Sequence, residues 1–442
     1  MGKSALIYVI GLSFLVGYMM LGIHDVTSGS VTNSAEYYSR TMAHNVAVAG
    51  ANIGTQHVLS NTVTSHEFTG TFLGNTFRVR IDSISATGEQ RVTSTTSFSL
   101  YGRTGAMVVR DTVIATLRCT PFAKYGYFSG DEVNGYMSPS NNGKSNADMW
   151  KITGDSLFGY AHTNGHWNLG GRPYFHDKIT GFNTPSTMTY GGVYDPIFNA
   201  GSQWGITVDR PIANLTRLQA TASSTGSLYD GGNDVALTFY GNGTVNVKIP
   251  ATTGAIRNET VAVTSLAPNG VYGVRNGDLR IKGTYAGQIT LLALKGTASS
   301  GRKGNVWFDG NLVANNNPRT NSSSTDMLGI VAERMAYVAT SDLVTGNPIV
   351  RNASSVVDIQ AAVYCHEGVF AAEDYDSVPV SGRINLFGSL TMCASTATGK
   401  ISGGVLVNGF LKSIRYDYRF LSSAPPSYPV SNKYELIAWW EN

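Results

Sequence analysis

The longest apolar run in the chain lies at its start, where about twenty residues from Ser4 to Ile23 carry no formal charge between Lys3 and Asp25. At a rise of roughly 1.5 Å per residue, a helix of that length covers about 30 Å, the hydrocarbon thickness of a bilayer. A cleaved secretory signal would show a basic first segment, a shorter apolar core and an A-x-A type site. Only Lys3 precedes this run, and the stretch HDVTSGSVTNSAEYY after it offers no such site. The pattern therefore predicts a retained helix, with Lys3 on the cytoplasmic side and the rest of the chain outside.

From Ser34 to Leu59 there is no proline, and Met42, Val46, Ile53 and His57 recur near one helical face, so the helix is expected to continue. The cluster AVAGANIG puts Ala47, Ala49, Gly50, Ala51 and Gly54 where another element can approach closely. The period then changes to two. TFRVRIDSI, TSFSLYG and AMVVRDTVIATLR alternate apolar and polar side chains, the mark of antiparallel strands, with turns at Gly74-Asn75, Thr87-Gly88 and Gly102. Residues 120–154 are polar and rich in Gly and Asn, and read as a connector.

Beyond residue 155, short apolar pieces alternate with Asn-Gly and Gly-Gly turns, and DLRIKG, QITLLALKG, GNVWFDGNLVA, VVDIQAAVYC and RINLFGSLTM recur at unequal spacing. Ile281, Leu291, Phe308, Val331, Ala361 and Leu386 are the positions expected to correspond in successive coils. The pattern predicts an α+β, mainly β chain. A long helix spans 1–61 and an antiparallel β head with linker spans 62–154. A β-solenoid-like (parallel β-helix) body spans 155–442, with a β insertion at about 205–265 around the hairpin VALTFYGNGTVNVKIP. A β-sandwich is the alternative for the body, and the closing YELIAWWEN is expected to complete a sheet or cap the coil.

Composition supports this picture. Charged residues make up 14% and Gly numbers 50, which suits turn-rich β structure with neutral polar faces. A net charge of +3 with no Lys or Arg run argues against nucleic acid as a partner. Three cysteines are too few for a disulfide scaffold; Cys365 and Cys393 can pair in an oxidising compartment or serve as buried thiols, leaving Cys119 over.

Candidate chemistry is sparse. His162, His166, His176 and Asp177 are of transition-metal-binding type, but their spacing matches no site and a His beside Asn-Gly suits a turn; no metal or cofactor is expected. The acidic loops 129–132 and 230–234 lack the spaced calcium pattern. Asp326, Glu333, Glu367, Glu373 and Asp374 could serve a β-helical carbohydrate enzyme, yet no spacing stacks them, and G-x-S-x-G, P-loop and H-E-x-x-H are missing. Aromatic loops such as Tyr125-Gly-Tyr127-Phe128 and Tyr174-Phe175 suit stacking on surface glycans or protein contacts, while most aromatics are expected in the core or an interface.

The first 60 residues, with Lys3, SALIYVIGLSFLVGYMMLGI and YYSRTMAHNVAVAGANIG, resemble the N-terminal module of type IV pilins, especially PilX-type minor pilins and secretion pseudopilins. A pilin normally has a Glu five residues after its leader; counted from Gly2, that place holds Ile7, and no Glu precedes Glu36. HTNG at His162 to Gly165, GNVWFDGNLV, DMLGIVAE and SIRYDYRFLSSAPPSYP resemble bacterial surface proteins that join a PilX-like start to a β-helical body. The resemblance implies a non-enzymatic structural subunit of a pilus-like filament at the cell surface, inserted first through the cytoplasmic membrane. Its partners would be copies of itself or other pilins. The assembly helix would use Lys3, Ile7, Leu15, Asp25, Met42, Val46, Ala49, Gly50, Ile53 and Gly54. A minor or tip subunit, or a membrane-anchored adhesin, is the alternative.

Overall fold

The computed structural model describes residues 2–60, 66–84, 89–102, 105–130, 150–189, 192–210, 212–250, 255–296, 303–342, 347–402 and 405–441. The chain divides into two compact units, Met1–Thr120 with Asn432–Asn442, and Pro121–Ser431.

In the first unit, one unbroken helix α1 (Gly2–Leu59) is followed by β1 (Glu67–Phe72), β2 (Asn75–Ile84), β3 (Glu89–Gly102) and β4 (Gly105–Pro121). The four strands form an antiparallel meander, and the C-terminal strand Val430–Glu441 completes a five-stranded sheet beside β4. Alternation does what the sequence pattern implies: Phe77, Val79 and Ile81 of β2 turn inward, while Arg78, Arg80 and Asp82 face water. Val92 of β3 and Ala115 and Leu117 of β4 join them in one core with Val46 and Val58 of α1. Each of these valine, leucine, isoleucine and phenylalanine side chains contributes about 1.5–3 kcal/mol on burial. The first turn falls at Leu73-Gly74, both at positive φ, where β1 and β2 meet at Phe72 and Asn75. The expected turn at Thr87-Gly88 lies outside the described residues.

The second unit is built mainly from parallel strand pairs. In one ladder the strands Val271–Arg275, Gln288–Leu294, Met327–Ala332, Val356–Cys365 and Val380–Met392 follow each other. The next neighbour is Tyr127–Ser129, from the beginning of the unit, and then come Ala161–Thr163 and Ile179–Gly181. A second ladder runs Leu279–Tyr285, Val306–Ala314, Val356–Cys365, Val380–Met392, Val405–Tyr416, Ser156–Phe158, Tyr174–Phe175 and Ile197–Phe198. Side chains stack in register along it: Leu312, Ile359, Leu386, Ile414, Leu157, Phe175 and Phe198 form a continuous apolar column.

Several expectations shift here. Ile281 pairs with Phe308, but Leu291 belongs to the other ladder, where its partner is Ile330 and not Val331; Leu386 pairs with Ile359 and not Ala361. Strands repeat every two residues, so a slip of one position moves a side chain to the opposite face, as Val331 demonstrates by packing in a separate cluster with Leu292 and Tyr364. Within the stretch read as a connector, Tyr127–Ser129 and Trp150–Lys151 are strands. Residues 131–149 lie outside the described residues. The hairpin at Gly241-Asn242-Gly243 is present as read, with Val235–Tyr240 antiparallel to Thr244–Pro250. Val235–Tyr240 also pairs in parallel with Leu279–Tyr285, so the hairpin joins the ladder directly.

Candidate assembly site

Helix α1 has two parts with opposite surroundings. Residues 2–27 are all exposed, Ile7 at 71% and Leu15 at 58%, and Lys3 and Asp25 bracket the apolar stretch. Its most apolar 18-residue window has a mean hydropathy of 2.2 and none of it is buried among the described residues. Among the described residues this is one helix long and apolar enough to cross a membrane. Leucine, isoleucine, methionine and aromatic residues dominate it, and in an apolar environment a helix satisfies every backbone N–H and C=O within the segment.

From Ser39 onward the helix has a covered side. Ser39, Ala43, Val46, Ala47, Gly50, Ala51, Gly54, Thr55 and Val58 are buried, at the three- and four-residue spacing of one helical stripe. The small residues set how near the sheet comes. A Cβ on Gly50 would sit 2.7 Å from Cδ2 of Phe77, and one on Gly54 would sit 2.8 Å from Cγ1 of Val79. The stripe is turned slightly from the one read in the sequence: Met42 and Ala49 are only half-buried, and Ile53, at 41%, faces outward. The glycine and alanine line lets the backbone approach the sheet to distances that leave no room for a Cβ at Gly50 or Gly54, and the bulkier Met42–Ile53 line lies to its side.

The C-terminal strand reinforces this end of the helix. Trp439 packs on Ala47, Ala51 and Val113. His44 of α1 lies 3.2 Å from Asp111 of β4 and 3.5 Å from Glu441. Nothing in YELIAWWEN alone names β4 as its neighbour, and the pairing of His44 with Asp111 and Glu441 carries no sequence motif. Glu36, the first Glu of the chain, forms an exposed ion pair with Arg40 one turn away, at 2.6 Å.

The residues singled out for chemistry are occupied in holding turns. His162 is buried, with Nδ1 2.7 Å from Thr180 Oγ1 and Nε2 2.9 Å from Asn164 Oδ1, and burial pushes its pKa down. Asn164 in turn accepts from Val208 N–H and donates to the Val208 carbonyl, closing a loop. His176 is exposed and pairs with Asp177 at 3.0 Å. Among the described residues no three His, Cys, Asp or Glu side chains gather as a metal site. In the 230–234 loop, Asp230 is held by Arg275, whose guanidinium keeps the carboxyl below its usual range, and Asp234 takes Lys303 Nζ at 2.6 Å. Asp131 and Glu132 of the other acidic loop lie outside the described residues.

The scattered carboxylates serve the backbone: Asp326 accepts from Gly287 and Asn316 N–H, and Glu373 from Thr340. Glu333 and Glu367 share Lys295, raising its pKa. Cys365 and Cys393 are both buried and are not joined by a disulfide. Comparison with protein families, curated proteins and solved structures gives no match for this chain.

Proposed function

We propose that the chain is a structural subunit of a pilus-like extracellular filament, with the N-terminal half of α1 in the filament core and the β-rich body displayed outside. One observation carries this reading: α1 is continuous, its second half is clamped to its own sheet, and its first half offers an apolar surface that none of the described residues covers. Leaving about twenty apolar residues in water costs on the order of tens of kcal/mol, so lipid or other helices must surround them. Lipid serves before assembly. Copies of the same helix serve afterwards, through packing of apolar faces. Without a Glu ahead of Glu36, Lys3 and Asp25 are the charges left to fix the register of neighbouring copies.

For the body, parallel pairing along both ladders supports a β-solenoid over an antiparallel sandwich. Such a scaffold, with its carboxylates engaged in turns, favours a display or adhesion role over catalysis. A minor or tip subunit, or a membrane-anchored adhesin, would use the same anchor without forming a homopolymer.

Negative-stain microscopy of sheared cell-surface material, with mass spectrometry of the fibres, tests the proposal. Filaments with this chain as the main component support it. Recovery solely as a detergent-soluble monomer rules the homopolymer out.

A further inference from the structure

Between the apolar run of α1 and the half that carries the sheet lies a stretch with neither surrounding. Ile23 ends the run and Ser39 is the first buried residue, so residues 24–38 span about 22 Å of helix without one buried side chain. Lipid that holds residues 4–23 does not cover this stalk, because the run already fills the hydrocarbon thickness. The centre of the stalk, Val26 to Ser34, reads VTSGSVTNS and contains no charge.

Every residue of that segment is a weak helix former, each for a stated reason. Val and Thr lose rotamer freedom against the preceding turn, and Gly29 adds backbone entropy. Ser, Thr and Asn offer hydrogen bonds that compete with those of the helix backbone. Thr32 does so here, its Oγ1 donating to the Ser28 carbonyl at 2.9 Å. The ion pair of Glu36 with Arg40 lies beyond the segment and supports only the turn that follows it.

Magnitudes decide what the segment does in water. Relative to alanine, nine such residues weaken helix propagation by a factor on the order of 10⁴. Opening a helix in its middle and starting it again costs a factor on the order of 10³. The two effects come close to cancelling. Both flanks stay helical meanwhile, one through its apolar surroundings and the other through its packing on the sheet.

We propose that residues 26–34 form a joint in α1 that opens and closes in water, so that the sheet-bearing half turns relative to the apolar half. The unbroken helix is its closed form. Opened to an extended chain, the nine residues add about 16 Å of reach. The joint serves a membrane anchor and a filament core alike, and does not depend on the filament reading.

Hydrogen exchange read by mass spectrometry, on the full chain in detergent micelles, tests the joint. Amides of residues 28–34 are expected to exchange at least about a hundredfold faster than those of 46–58, which lie under the sheet. A Cβ on Gly29 would meet nothing within 4 Å, so Gly29→Ala changes helix propensity without touching a neighbour. Combined with Ser30→Ala and Asn33→Ala, it is expected to slow exchange of the stalk at least about tenfold and to leave 46–58 unchanged. Cleavage by proteinase K within 26–34 is expected to slow in parallel.

A stalk as well protected as residues 46–58 overturns the proposal. Fast exchange that the triple substitution does not slow overturns it too, because weak propensity would then not be what opens the segment.

Discussion

At the scale of single residues, three sites lead to measurable outcomes. Gly50 is where the sheet comes closest to α1, with Phe77 and Ser94 against the place of a Cβ. Gly50→Val is expected to destabilise the first unit by about 1–3 kcal/mol through overpacking, read as a lower urea midpoint. Lys412, buried on the strand Val405–Tyr416, gives a pH signature. Its pKa falls from 10.5 to about 8 on folding, a cost of about 3 kcal/mol that is fully present below pH 8, where both states hold the proton. Between pH 8 and 10.5 the folded protein releases that proton before the unfolded chain does, so stability rises. The buried tyrosines, whose pKa values are raised by burial, act in the opposite direction above about pH 10. They are common to parent and Lys412→Met, so the stability gap between these two is expected to narrow by about 3 kcal/mol across that window in pH-dependent urea melts. Cys365 is fully buried, and burial pushes its thiol well up. A thiolate-selective reagent near pH 8 is expected to leave it unlabelled until the protein is unfolded.

At the scale of elements, legibility followed locality. The apolar run of α1, the alternation of Phe77, Val79 and Ile81, and the hairpin at Gly241 to Gly243 each declare themselves within a short window, because the physics that makes them acts over a few neighbours. The remainder depends on partners far away. Thr391 Oγ1 donates to the Phe122 carbonyl at 2.9 Å across 269 residues, and Tyr127 pairs beside Leu390; no local pattern states either. Unequal loop lengths hid the one-residue difference between Ile330 and Val331. Lys412 escaped notice because a Lys in an alternating strand reads as solvent-facing, and only the fold shows that it takes an inward place.

The C-terminal strand is testable at this scale: Trp439→Ala removes its packing on Ala47, Ala51 and Val113 and is expected to cost about 2–3 kcal/mol in the first unit, seen by urea denaturation. In the other half of α1, Leu15→Asp places a charge mid-span at a cost of about 3 kcal/mol, and a reduced membrane fraction after cell lysis is the expected result.

At the scale of the whole molecule, the two halves of one helix have opposite surroundings. Its second half is part of a folded unit, with Gly50 and Gly54 under the sheet, while its first half has an apolar surface that no described residue covers. A membrane alone satisfies that surface, and so does a bundle of copies. The proposed filament requires that the bundle form. Cysteine cross-linking across α1 separates these outcomes most directly, using a single Leu15→Cys substitution in a chain whose native cysteines are replaced by serine or alanine. Oxidation of sheared surface material is expected to join copies of this chain through residue 15 within fibres visible by electron microscopy. Fibres that lack the chain, or a residue 15 that joins nothing outside the membrane fraction, would contradict the filament and leave α1 as an anchor.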